Sequence, residues 1–182
     1  VMLSNAPDWP ELEKLLYEAE AIGFYLSAHP LDSYRLGMDK LGVKNCVEVM
    51  QGIKTGDTIR AKLAGCVNSF QKRLSKSGTK YAFLSLSDAA GNFEGILFSE
   101  GLIKYEDTIN TGLPLLVNVS IDKQSDDASP RIMINTVETL DKAIADVADG
   151  LEITLNNTAA VRGLKEILGK DRNGRNKIYI RP

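Results

Sequence analysis

Residues 58–98 read TIRAKLAGCVNSFQKRLSKSGTKYAFLSLSDAAGNFEGILF, and this stretch decides the fold. Upstream of it the apolar residues recur at helical spacing; within it they recur every second residue, the period of a strand. On the segment 79–87, Ala82, Leu84 and Leu86 fall on one face and Tyr81, Phe83 and Ser85 on the other. Ser77-Gly78 and Ala89-Ala90-Gly91 are turn sequences. Strands are therefore expected at 58–74, 79–87 and 92–98, the first long enough to bend and serve two sides of a barrel.

Working outward, alternation returns at 114–122 and 131–140. The interval 100–109 reads as a short helix or turn between the third and fourth strands, and the polar segment 123–130, with Asp126, Asp127 and Ser129, as a hairpin loop. Five strands with tight turns after the first two and an insertion after the third describe a five-stranded OB-type Greek-key barrel. Before the barrel, Asp8 and Glu11 are spaced to cap a helix that tolerates Pro10 in its first turn, and Leu12, Leu15, Leu16, Ala19 and Ile22 share one face. Gly23 reads as a stop or a point of close packing, Pro30 interrupts helical dihedrals, a second helix is expected at 31–41, and Gly52, Gly56 and Asp57 mark loops. After a linker at 145–150, Leu151, Ile153 and Leu155 alternate, Thr158 caps a helix carrying Val161, Leu164 and Leu168 up to Gly169, and Ile178 and Ile180 alternate again. The class is α+β, mainly β: a helical connector at 1–57, the barrel at 58–145, and the start of a partial α/β domain at 150–182.

Composition narrows the function. The chain has 182 residues, 22 basic and 24 acidic side chains and 43% hydrophobic residues, which excludes a polycation and a disordered polyelectrolyte. Two cysteines 20 residues apart and one histidine build neither a disulfide framework nor a zinc cluster; reduced thiols are expected. No apolar run approaches the ~20 residues of a bilayer span, and no signal-peptide pattern opens the chain, so a soluble cytoplasmic protein with no membrane partner is expected. A phosphate-cradling glycine loop, an HExxH, a GxSxG elbow and a dinucleotide fingerprint are all missing. The adjacent pairs Asp126-Asp127 and Glu106-Asp107 diverge and lack a third carboxylate, so no metal, no cofactor and no catalytic residue is expected. His29, before a proline in a turn, is suited to bonding a nearby backbone group.

The near-neutral total conceals segregation. Between Arg60 and Ser87 there are six cations (Arg60, Lys62, Lys72, Arg73, Lys76, Lys80) and no acid, whereas Asp88 to Asp149 holds twelve acids and four cations. Such a segment is a local source of positive potential. OB barrels hold single strands across strands two and three, between the loops joining strands one to two and four to five. Here the first loop region carries Lys72, Arg73, Lys76 and Lys80, the second is flanked by Lys123 and Arg131, and Tyr81 and Phe83 stand between. Cations beside aromatics supply phosphate neutralisation and base stacking. Two other readings use the same residues: the aromatics pack on the leading helices and the barrel is a protein-interaction module, or the barrel binds structured RNA, as in a tRNA-binding enzyme.

Three stretches carry a more specific likeness. Ile22-Gly23-Phe24-Tyr25-Leu26-Ser27-Ala28-His29-Pro30-Leu31-Asp32 resembles the GFYLSGHPLD signature of bacterial DNA polymerase III alpha subunits of the DnaE type, with Ala28 in place of the glycine. Lys76, Gly78, Ala82-Phe83-Leu84, Asp88, Gly91, Glu94 and Phe98 follow in the order of that family's OB stretch, and 115–121 and 131–140 resemble its last two barrel strands. The resemblance spans about residues 9–145; the tail resembles the family's clamp-loader-binding domain only loosely. It implies the C-terminal region of a template-directed nucleotidyltransferase that uses magnesium, with the catalytic carboxylates of the palm upstream and unmatched here. It also implies an accessory role near single-stranded template DNA during replication, with Lys72, Arg73, Lys76, Lys80 and Phe83 corresponding by position. The implied partners are other replisome subunits: the clamp loader and, through the parent protein, the sliding clamp. Val1 to Asp8 show no convincing copy of the family's clamp-binding peptide.

Overall fold

β1 (Thr58–Leu74) serves two sides of the sheet. The computed structural model describes residues 9–22, 25, 27–147, 150–154 and 177–181. Over its first half β1 pairs antiparallel with β4 (Leu115–Asp122), from Thr58 opposite Asp122 to Gly65 opposite Leu115; over its second half it pairs with β2 (Lys80–Ser87), from Cys66 opposite Ser87 to Leu74 opposite Lys80. Asn68 is an extra residue between the Val67–Leu86 and Ser69–Ser85 pairs. Such a bulge bends and twists the strand, which lets one segment turn the corner of a barrel.

β3 (Asn92–Phe98) pairs antiparallel with β2 and parallel with β5 (Arg131–Thr139), and β5 returns antiparallel to β4. The sheet closes in the order β1-β2-β3-β5-β4. α4 (Ser99–Ile109) follows β3 and packs Leu102, Tyr105 and Ile109 against the barrel core. This is the OB topology read from the sequence, with strand ends displaced by at most one residue. Ala82, Leu84 and Leu86 point inward and are fully buried. Gly78 takes φ 79° in the β1–β2 turn, a conformation that costs glycine nothing. At Gly95 a Cβ would lie 2.7 Å from Ile134 Cγ1, so the approach of β3 to β5 requires the missing side chain.

The leading segment departs from the expectation of one helix at 31–41. Residues Pro30–Tyr34 form a 3₁₀ helix, and α2 (Arg35–Leu41) starts only after Tyr34, whose ψ of 1° breaks the run. α1 (Glu11–Ile22) precedes them; its expected cap Asp8 and stop Gly23, and the side chains of Leu12, Leu16 and Ala19, lie outside the described residues. α3 (Cys46–Gly52), to which the pattern assigned no element, is started by Asn45, whose side chain accepts from Glu48 N. The expected linker at 145–150 is corrected at its start, because α5 (Leu140–Val147) carries the chain on from β5, with Leu140 and Ala143 buried one turn apart.

The chain divides into two compact units, Val1–Ala143 and Ile144–Pro182. In the first, the leading helices and the barrel belong together. In the second, β6 (Gly150–Thr154) and β7 (Lys177–Arg181) pair parallel, which requires a crossover between them. The helix expected from Thr158 to Leu168, its stop at Gly169 and the strand position of Leu155 lie outside the described residues.

Candidate nucleic-acid interface

The strand registers fix which side chains share the outer surface. Arg73, Tyr81 and Phe98 lie opposite one another on β1, β2 and β3; Gln71, Phe83 and Ile96 form the next outward row, continued by Met133 on β5; Ser69, Ser85 and Glu94 form the third. Their inward neighbours Ala82, Leu84 and Leu97 are fully buried, so the alternation places Tyr81, Phe83, Ile96 and Phe98 outside. Tyr81 and Phe83 meet edge to face with centroids 5.5 Å apart. Phe98 is 52% exposed. Three aromatic rings and two aliphatic side chains thus make one outward patch, of the kind that marks a binding surface rather than a random exposed residue.

The cations divide between two faces. Arg73 stands at the end of the aromatic rows, and Lys76 is exposed in the hairpin turn. Lys72 lies opposite Ala82, and Lys80 is two residues from it on β2, so both point to the side that continues the barrel interior. There Lys72 forms an ion pair with Glu106 of α4 and lies 5.7 Å from the Phe70 ring centroid. The six cations of the acid-free segment therefore do not converge as one group. At the other end of the face Arg131 is exposed at the start of β5, opposite Asp122, and Lys123 opens the β4–β5 loop, its carbonyl accepting from Gly56 N at 2.8 Å.

The leading helices cover a different part of the barrel. Ala64 and Cys66, outward on the middle of β1, are buried. His29 Nδ1 accepts from Leu31 N at 3.2 Å, its backbone N–H donates to Asp32 Oδ2 at 2.9 Å, and Nε2 lies 3.4 Å from Ser87 Oγ, which in turn donates to Asn68 Oδ1 at 3.2 Å. Burial lowers the His29 pKa, against the opposing pull of Asp32 and Asp88, and the ring is a neutral acceptor at Nδ1. Asp88, in the β2–β3 turn, accepts from Cys46 N at 2.7 Å and from Ala90 N and Gly91 N at 2.8 Å, tying the start of α3 to the barrel. His29 through Ser87, and Cys46 through Asp88, thus join leader to barrel. Ser87, at the opposite end of β2 from Tyr81, is where this contact is made. Burial pushes the Cys46 thiol up to about 12, with Asp88 adding to it, and the Cys66 thiol up to about 11, so both stay protonated at neutral pH. Among the described residues no three metal-ligating side chains come together, and no helix is long and apolar enough to cross a membrane.

Phe98, Ile96 and Met133 are the members of the face that the sequence reading did not place there. Their signal is parity: Phe93, Gly95 and Leu97 are buried, so the intervening Glu94 and Ile96 and the following Phe98 point out.

No family model matches the chain. Curated relatives named DNA polymerase III subunit alpha do: that of Caulobacter vibrioides is 31% identical over 158 residues (87% of this chain, 14% of the relative), that of Neisseria meningitidis serogroup B is 32% identical over 170 residues (92% and 14%), and that of Escherichia coli K12 is 26% identical over 183 residues (97% and 15%). The chain spans about a seventh of the length of these relatives. Among solved structures it is similar to a mitochondrial single-stranded DNA binding protein of S. cerevisiae (14% identity, TM-score 0.40, covering 46% of this chain and 97% of that one). It is also similar to the second OB-fold domain of replication protein A from Methanococcus maripaludis (17%, TM-score 0.34, 44% and 83%).

Proposed function

From the premise that the chain belongs to the bacterial DNA polymerase III alpha-subunit family, we propose that its barrel binds single-stranded DNA during replication, across the outer face of β2 and β3. The observation that carries the proposal is the outward aromatic patch of Tyr81, Phe83 and Phe98, with Arg73 and Lys76 at one end and Lys123 and Arg131 at the other. Bases stack on the rings at roughly 1–3 kcal/mol each, and the flanking cations neutralise phosphates; neither interaction selects a base. Lys72 and Lys80, on the opposite face, contribute through their field. The role is an accessory one in the cytoplasm. In this reading nucleotidyl transfer, its magnesium, and the contacts with clamp loader and sliding clamp belong to the whole polymerase.

Titrating a labelled oligothymidine at several salt concentrations tests the proposal. Two to four phosphate contacts predict a log–log slope of about −1.4 to −2.8 for single strands. A flat salt dependence, or preference for structured RNA, contradicts it.

A further inference from the structure

The outward row containing Phe83 and Ile96 does not end at β3. It passes through Met133 on β5 and Ser120 on β4 to Arg60 on the first half of β1. From β2 this is four inter-strand steps of ~4.8 Å, about 19 Å around the barrel. The adjoining outward row holds Thr136, Asn118 and Lys62. Along this path the surface changes from aromatic to hydrogen-bonding and cationic.

A cleft of about 370 Å³ opens on this surface, bordered by Lys44, Arg60, Lys62, Asn118 and Asn135, and no carboxylate lines it. Its polar groups are arranged by a bulge. Asn118 lies opposite Thr136 but Val119 lies opposite Ile134, so Asn135 is an extra residue and both Asn135 and Thr136 are exposed between the buried Ile134 and Val137. Strict alternation would have turned one of the two inward. Asn118 Nδ2 donates to Thr136 Oγ1 at 2.6 Å, and Asn135 Nδ2 donates to Ser120 Oγ at 2.8 Å. Each hydroxyl is the acceptor in its bond, which leaves its own O–H to donate. Lys62 Nζ donates to Leu41 O at 3.1 Å and is held beside the cleft, while Arg60 and Lys44 are exposed. On the sheet the nearest carboxylates stand one row away on each side, Asp122 opposite Arg131 and Glu138 opposite Leu116, and Lys44 also borders a neighbouring cleft that holds Asp39 and Glu48.

Two exposed cations, a tethered third and two hydroxyl donors fit the phosphodiester backbone and offer nothing that reads a base. We infer that this surface is a second phosphate-contact site, onto which a single strand continues after leaving the aromatic rings. The inference rests on the reading of the aromatic face as a DNA-binding surface. It makes the track a path partly encircling the barrel rather than a single groove.

The test compares the unaltered 182-residue protein with the double variant Lys44→Gln/Arg60→Gln, sparing Lys62 because of its bond to Leu41. Anisotropy is read with oligothymidines of about 6 and about 16 nucleotides, within the range of OB site sizes. Expected is unchanged binding of the short strand, weaker binding of the long one, and a salt slope flatter by about 1.4 for the long strand alone, the loss of two phosphate contacts. Unchanged binding and slope for both lengths overturns the second site, as does equal loss on both. Displacement of the long strand from the unaltered protein by polyglutamate, in a manner abolished by the variant while DNA affinity is not, assigns the surface to an acidic protein and also overturns it. Binding of neither oligonucleotide to the unaltered protein overturns the aromatic-face reading, and this inference with it.

Discussion

Replacing Phe98 by alanine separates a binding surface from a packing surface. The side chain lies opposite Tyr81 at the end of β3 and is 52% exposed. Full burial of a phenylalanine contributes roughly 1.5–3 kcal/mol, so a half-buried ring contributes about 1 kcal/mol to stability. Its backbone opens α4, but the side chain makes no capping bond there, so the helix start is unaffected. If a base stacks on the ring, ~1–3 kcal/mol of binding is lost, about 5- to 150-fold in affinity. Anisotropy with labelled oligothymidine and urea denaturation of the same protein read the two effects. The expected result is a stability loss of about 1 kcal/mol with a binding loss of at least about fivefold and an unchanged salt slope, because no phosphate contact is removed. Unchanged affinity refutes the reasoning and leaves the patch as a docking surface for protein.

Four further outcomes follow from the geometry. His29 is the chain's one histidine and its folded pKa is lowered, so the unfolded chain takes up its proton first as pH falls. Its contribution is present above the unfolded value of about 6.5 and is lost as pH falls from there through the folded value; denaturation of the unaltered protein and of His29→Gln across that window should show the difference narrowing in acid. Gly95→Ala places a methyl 2.7 Å from Ile134 Cγ1 and should destabilise by about 1–3 kcal/mol in urea, with partial recovery in the Ile134→Val background. Asp88→Ala orphans the N–H groups of Cys46, Ala90 and Gly91 and should cost at least about 2 kcal/mol, with faster alkylation of Cys46 by a thiol reagent. Lys72→Ala breaks only a surface ion pair with Glu106; it should change stability by less than about 1 kcal/mol and DNA affinity less than Arg73→Ala does, as anisotropy will show.

The barrel was legible because burial alternates regularly over 81–86 and 92–98, so Ala82, Leu84 and Leu86 announce the core as clearly in the sequence as in space; the alternation lapses at 63–66 and 115–117, where outward side chains are buried as well. α3 and α5 escape that reading because each is about two turns long: α3 is started by a single side-chain bond, Asn45 with Glu48 N, and α5 buries Leu140 and Ala143. The aromatic face was half legible. Tyr81 and Phe83 show themselves by parity within one strand, but Phe98 joins them through the register across β2 and β3, which loop length sets. For the cations, proximity along the chain is the wrong measure, because neighbours on a strand point apart. Parity in the hairpin, in which Lys72 lies opposite Ala82 and Arg73 opposite Tyr81, places the two on different faces. The link from His29 to Ser87 and from Asp88 to Cys46 joins residues 58 and 42 positions apart, and no local pattern encodes it.

Amide and methyl chemical-shift mapping with unlabelled oligothymidine bears most directly on where the strand lies. The account predicts that the largest shifts fall on Arg73, Tyr81, Phe83, Ile96, Phe98 and Met133, with Leu31, Cys46 and Asp88 unmoved. Shifts concentrated on the leading helices and the Asp88 turn, with the ring-bearing rows unmoved at saturating oligonucleotide, would contradict it.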